Sequence, residues 1–229
     1  MAGEMVTFSS NGQEAEGYLA KPASGSGPGV VVIQEWWGLV PHIKDVCDRF
    51  ANEGFVALAP DLYHGAGATT SEPDEAGKLM MAMNVEQAAK DMSGAVDYLV
   101  GLDAAAGDTV GCVGYCIGGG LSLWLASLRA QVGACVVYYG VLPPGAAPDY
   151  AKLPAPVLGH FAENDQFANP AAARDMESKI KAAGQQAEFH IYPGTDHAFF
   201  NDTRPEVYDA EAAKLSWERT LAFFRQELG

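Results

Sequence analysis

The 229 residues carry 29 acidic against 14 basic side chains, a formal charge of −15, and 48% of them are hydrophobic. That balance repels phosphate backbones and anionic lipid surfaces, so neither nucleic acid nor a membrane is expected as a partner. The apolar content supports a sizeable core and argues against disorder, and the length fits one α/β domain over 1–229.

In chain order, MVTF (5–8) and AEGYLA (15–20) read as an antiparallel hairpin at a sheet edge, and PASGSGPG (22–29) as a turn. GVVVIQ (29–34) is a β-branched run of the kind buried on both faces. Ile43, Val46, Cys47, Phe50 and Ala51 recur at helical spacing before Gly54 closes the segment. FVALAP (55–60) is the next strand, and about 75–101 reads as one long helical stretch. DTVGCVGY (108–115) is a strand followed by a helix over 117–130, and VGACVVYYG (132–140) is another strand. APVLGHFAEND (155–165) is a strand ending in an acidic loop, and PAAARDMESKIKAAG (170–184) a helix stopped by glycine. AEFHIYPGTDH (187–197) is a strand ending in a loop, and Ala210, Ala213, Trp217, Leu221 and Phe224 stripe the last helix. Strands separated by helices predict a mostly parallel sheet with helices on both faces and an antiparallel N-terminal edge.

No basic segment followed by a long apolar run marks the first residues, so no export signal is expected, and no apolar run is long enough to span a bilayer. Cys47, Cys112, Cys116 and Cys135 show neither CxxC spacing nor a disulfide framework, as expected of reduced thiols in the cytoplasm. The cysteines and histidines lack ligand spacing, so no metal is expected.

In open parallel sheets, function collects at the carboxyl ends of the strands. Four strand ends deliver Glu35, Cys116, Asp165 and His197. In Gly114-Tyr115-Cys116-Ile117-Gly118 a strand turns at once into a helix, which strains the middle residue and requires small neighbours. Cys116 then sits at a helix N-terminus, where N–H groups favour a thiolate. The N–H of Ile117 faces a developing oxyanion, with Trp36 the candidate for the second donor. Taken alone, the glycines equally fit a buried thiol in a tight turn. The order nucleophile, Asp165, His197 favours catalysis.

His197 is the candidate base, whereas His42, His64, His160 and His190 read as structural or solvated. Asp165 is favoured as its orienter over Glu163 and over Asp196, which abuts the histidine. Glu35, flanked by Trp36 and Trp37, is partly desolvated, a setting that lets a carboxyl group exchange a proton with a nearby thiol. Two other readings compete. A phosphate cradle at GCVGYCIGGG lacks both a Gly-x-Gly-x-x-Gly register and a following Lys-Ser/Thr pair. A non-catalytic relative of the fold conflicts with the intact order of the three groups.

QEWWG (34–38), APDLY (59–63), GYCIGG (114–119), END (163–165) and YPGTDHAF (192–199) together resemble the dienelactone hydrolase (carboxymethylenebutenolidase) family of α/β-hydrolases, over nearly the whole chain. The resemblance implies an α/β-hydrolase fold with Cys116 as nucleophile, His197 as base and Asp165 as its orienter. It also implies the Trp36 and Ile117 N–H groups as the oxyanion hole. Glu35 would take the thiol proton once substrate displaces it. No cofactor is implied. Family members of the chlorocatechol pathway hold a substrate carboxylate with two arginines. Here no arginine lies between Arg49 and Arg129, and Asn201 stands at the second position; the nearby cations Arg204 and Lys78 do not align. A small ester or lactone of unassigned specificity is therefore the expected substrate, in a pocket formed by Trp37, Tyr63, Phe199 and Asn201. The expected assembly is a monomer or small homo-oligomer.

Overall fold

The structure is a computed structural model that describes residues 2–67, 72–140, 142 and 145–229. Strands β1 (Glu4–Ser10) and β2 (Gln13–Ala20) pair antiparallel through Asn11 and Gly12, both in the left-handed region at φ 48° and 86°. Positive φ at both central residues matches the twist of the flanking strands, which is why Asn-Gly suits a two-residue hairpin. β2 then pairs antiparallel with β4 (Val56–Pro60).

From β4 onward the sheet is parallel. It runs through β3 (Gly27–Ile33), β5 (Ala105–Tyr115), β6 (Val132–Tyr138), β7 (Val157–Ala162) and β8 (Ala187–Tyr192), giving the eight-stranded order β1-β2-β4-β3-β5-β6-β7-β8. Parallel strands need crossover connections, and the helices α1 (Pro41–Asn52), α3 (Val85–Val100), α4 (Ile117–Leu128), α5 (Pro170–Ala182) and α6 (Ala210–Leu228) provide them or cover the sheet.

Alternation within β3 shows how both faces are closed. Val31 and Ile33 pack with Met92, Leu99, Leu121 and Leu125 of α3 and α4, while Val30 and Val32 pack with Ile43, Phe50, Leu221 and Phe224 of α1 and α6. Burying each such side chain contributes roughly 1.5–3 kcal/mol.

One element departs from the sequence reading. The stretch at 75–101 is two helices, α2 (Pro73–Ala82) and α3, because Met83 is extended at ψ 126° and Asn84 caps α3 by accepting from the Gln87 N–H at 3.1 Å. An asparagine that binds the backbone at N3 starts a helix more readily than it continues one, and the apolar periodicity on either side hides that break.

His160 explains how α6 is pinned to the sheet. Its Nδ1 meets the Tyr192 hydroxyl at 2.9 Å and its Nε2 the Thr220 hydroxyl at 3.1 Å. Burial pushes this imidazole well below its ordinary value, followed by the charges of His190 and Arg219, so it is neutral and structural.

Candidate active site

The parallel topology places the loops after β3, β4, β5, β7 and β8 along one rim of the sheet. Cys116 joins β5 directly to α4, and its backbone sits at φ 55°, ψ −121°. A non-glycine residue there costs of order 1–3 kcal/mol and persists only where its surroundings enforce it. The glycines do the enforcing. A Cβ on Gly114 would lie 1.8 Å from the Gly118 carbonyl oxygen, and one on Gly118 would lie 2.4 Å from that of Gln34. The turn and the loop after β3 therefore touch backbone to backbone, and the glycine run faces protein instead of an open phosphate cradle. Cys116 is half-buried, whereas Cys47, Cys112 and Cys135 are buried. Burial pushes the Cys47 and Cys112 thiols far up, out of reach of ionisation near neutrality.

Asp165 and His197 meet across the loops after β7 and β8. The imidazole Nδ1 lies 2.6 Å from Asp165 Oδ2, while Asp165 Oδ1 accepts from the N–H groups of Phe167 at 2.7 Å and Ala168 at 2.9 Å. Glu163 is used differently, accepting from the Gly194 N–H at 2.8 Å and so tying the two loops together. Asp196 points to solvent. Of the three acidic residues, only Asp165 reaches the ring.

The electrostatics follow from those contacts. Burial disfavours the imidazolium, but its hydrogen bonds to Asp165 and Cys116 outweigh it and lift His197 to about 10. Burial opposes the Asp165 carboxylate in the same way, and its bonds to His197, Ala168 and Phe167 nevertheless hold it below the usual carboxylate range. The Cys116 sulfur thus neighbours the ring whose other nitrogen is fixed by Asp165.

Ile117 opens α4, so its N–H has no acceptor one turn back. Trp36 lies in the loop that presses on Gly118, beside the same turn. The Ile117 amide directly follows Cys116 in the chain.

Glu35 is 1% exposed. Its Oε2 accepts from the Asn201 side-chain amide at 2.7 Å, and its Oε1 from the Tyr139 hydroxyl at 3.5 Å. Asn201 cannot swing freely, because its Oδ1 accepts from the Thr203 N–H at 3.1 Å and hydroxyl at 2.6 Å. The amide nitrogen must therefore face Glu35, and no hydrogen bond joins Glu35 to Cys116 among the described residues.

Two of the residues expected to line the pocket are buried. Asn201 is 2% exposed and is a partner of Glu35. Phe199 has no exposed surface and packs on Tyr139 and Tyr192, which makes it core. Trp37 is 8% exposed, edge-on to Trp36 and covered by the Arg204 guanidinium at 5.9 Å. Arg204 is also paired with Glu206. Tyr63 is buried, and its hydroxyl donates to the Trp36 carbonyl at 3.0 Å.

Three residues escaped the sequence reading. Tyr139, at φ 37°, lies 5.0 Å from the His197 ring and reaches Glu35. Phe167 is 73% exposed with its ring edge-on to His197 at 5.4 Å. Ala198, at φ 69°, turns the chain directly behind the histidine. A tyrosine in YYG and a phenylalanine two places past an aspartate carry no pattern that separates them from core or surface residues.

Among the described residues, no group of histidine, cysteine and carboxylate side chains is arranged to hold a metal ion, and no helix is long and apolar enough to cross a membrane.

A mostly parallel, helix-covered sheet with a strained residue between β5 and α4, and an Asp–His pair on later strands, defines the α/β-hydrolase fold. Comparison with known proteins agrees. The profile of the dienelactone hydrolase family matches residues 15–228. The chain is 40% identical to "Protein usf" of Aquifex pyrophilus and 35% identical to a "Putative carboxymethylenebutenolidase" of Aquifex aeolicus, in each case over 99% of both chains. A crystal structure titled "Putative Dienelactone Hydrolase", from Klebsiella pneumoniae, superposes with a TM-score of 0.86 at 31% identity, covering 99% of this chain and 100% of that one. The chain belongs to the dienelactone hydrolase family. It is a dienelactone hydrolase-like hydrolase, of the class that opens ester and lactone bonds.

Proposed function

We propose that the protein hydrolyses small carboxylic esters or lactones through a Cys116-His197-Asp165 triad and a thioacyl-enzyme, as one domain over 1–229 acting in the cytoplasm. The observation that carries this reading is the half-buried Cys116 on its strained turn, beside a histidine held at 2.6 Å by a buried aspartate.

The steps balance as follows. Substrate displaces Glu35 from Asn201 and Tyr139, and the freed carboxylate takes the Cys116 thiol proton. The thiolate forms beside the His197 imidazolium, attacks the carbonyl carbon, and the resulting oxyanion is held by the Trp36 and Ile117 N–H groups. Collapse breaks the carbon–oxygen bond, and His197 protonates the departing alkoxide. Neutral His197 then takes a proton from water, whose hydroxide cleaves the thioester. The acid leaves, and the proton that Glu35 held returns to sulfur. Asp165 keeps the histidine in one tautomer throughout. A thiol kept protonated until substrate arrives is shielded from oxidation, which gives Glu35 its purpose.

Iodoacetamide tests this reading. An excess is expected to alkylate Cys116 slowly, leave the three buried thiols unmodified in the folded protein, and abolish hydrolysis of a simple ester. Full Cys116 alkylation with turnover intact would overturn the proposal.

A further inference from the structure

Between the turn after β4 and helices α2 and α3 lies a cavity of about 350 Å³. In its turn Asp61 accepts from the Tyr63 N–H at 3.0 Å and from the Gly65 N–H at 2.7 Å. Leu62, Leu79, Ala82 and Met83 supply apolar lining, and His64, Asn84 and Gln87 supply polar lining. No lysine, arginine or carboxylate lines it among the described residues.

The cavity borders the loop after β3 through Tyr63, which is both a wall of the cavity and the residue bonded to the Trp36 carbonyl. Tyr63 also packs on the loop after β3, since a Cβ on Gly38 would lie 2.9 Å from its ring. The sheet order fixes the direction of approach. Along the rim run the ends of β4, β3, β5, β7 and β8, bearing Tyr63, Trp36, Cys116, Asp165 and His197 in turn. A leaving alcohol must depart on the His197 side, where its proton comes from. The acyl part therefore points the other way, past Trp36 and Tyr63, toward this cavity.

Its charge is fixed by one pair. His64, held in the left-handed region at φ 50°, places Nε2 3.0 Å from Oδ2 of Asp91. Asp91 has no exposed surface, and its Oδ1 accepts from Ser10 Oγ at 2.5 Å and Gln87 Nε2 at 2.9 Å. The Asp91 carboxyl group backs His64, and no lysine or arginine stands in the lining among the described residues to pair with an anion.

We infer that this cavity is the acyl subsite and that it selects esters or lactones whose acyl chain is uncharged and aliphatic. The inference rests on the proposed hydrolysis at Cys116.

The test compares kcat/KM for ethyl acetate, butyrate and hexanoate with that for the singly charged monoethyl adipate, which presents a carboxylate at the chain end. Each methylene that enters an apolar site is worth roughly fourfold. Hexanoate is therefore expected to exceed acetate, and to exceed monoethyl adipate at least tenfold. Ala82 is exposed at the rim, so Ala82→Trp fills the cavity without entering the core. It is expected to lower the hexanoate-to-acetate ratio at least tenfold, mainly through KM. A flat chain-length profile, a preference for the carboxylated ester, or a ratio unmoved by Ala82→Trp would each overturn the inference. If Cys116→Ala inactivates the enzyme while the profile is flat, only the subsite assignment fails. If Cys116→Ala retains turnover, the assignment of Cys116 as nucleophile is at fault.

Discussion

Cys116→Ala is expected to lower kcat for a small ester by at least about 10³-fold while leaving the circular dichroism spectrum and melting temperature close to wild type. The magnitude follows from the route. Without the sulfur there is no acyl-enzyme, and the oxyanion donors and bound substrate leave only the weak catalysis of a positioned water. The fold should tolerate the change, since alanine retains the Cβ that the turn already accommodates, and the half-buried sulfur leaves no sealed cavity. Loss of structure along with activity would assign Cys116 a packing role and weaken its chemical one.

Asp165→Asn should be nearly as damaging, on the order of 10²- to 10⁴-fold in kcat, with a signature that simple misfolding cannot produce. His197 stands at about 10 because its bonds to Asp165 and Cys116 outweigh burial. An amide keeps the shape but removes the charge, so the imidazole midpoint seen by NMR should fall toward the ordinary value of about 6.5. The sign for stability follows from the same shift. A histidine raised on folding contributes stability that is full below its unfolded value near about 6.5 and is lost as pH climbs toward the folded value of about 10. Asp165, lowered on folding, contributes above its unfolded value near about 4 and loses that contribution in acid. The pair therefore stabilises most between those limits, and Asp165→Asn should flatten the dependence on both sides. An unchanged His197 midpoint in the variant would show that Asp165 does not set the ring's charge.

Much of this architecture was legible in the residues because the relevant signals are local. The β-branched run at 29–34, the helical spacing from Ile43 to Ala51 and the glycines around Cys116 each specify their own element. The order of Cys116, Asp165 and His197 added a long-range inference, since a parallel sheet brings successive strand ends to one rim. What stayed hidden depends on tertiary contact. Sequence position alone does not show which neighbour the Asn201 amide faces; the Thr203 bonds that orient it form only in the folded turn. Phe199 and Phe167 are both aromatic residues near the site in sequence, yet the fold buries one completely and leaves the other 73% exposed. The His64–Asp91 contact joins residues from the turn after β4 and the middle of α3, with no motif to announce it.

The role of Cys116 as nucleophile is tested most directly by mass spectrometry of enzyme quenched in acid during steady turnover of an ethyl ester, followed by proteolysis. The acyl mass is expected on the peptide containing Cys116, labile to hydroxylamine as a thioester and absent from Cys116→Ala. An acyl group on any other side chain would contradict it.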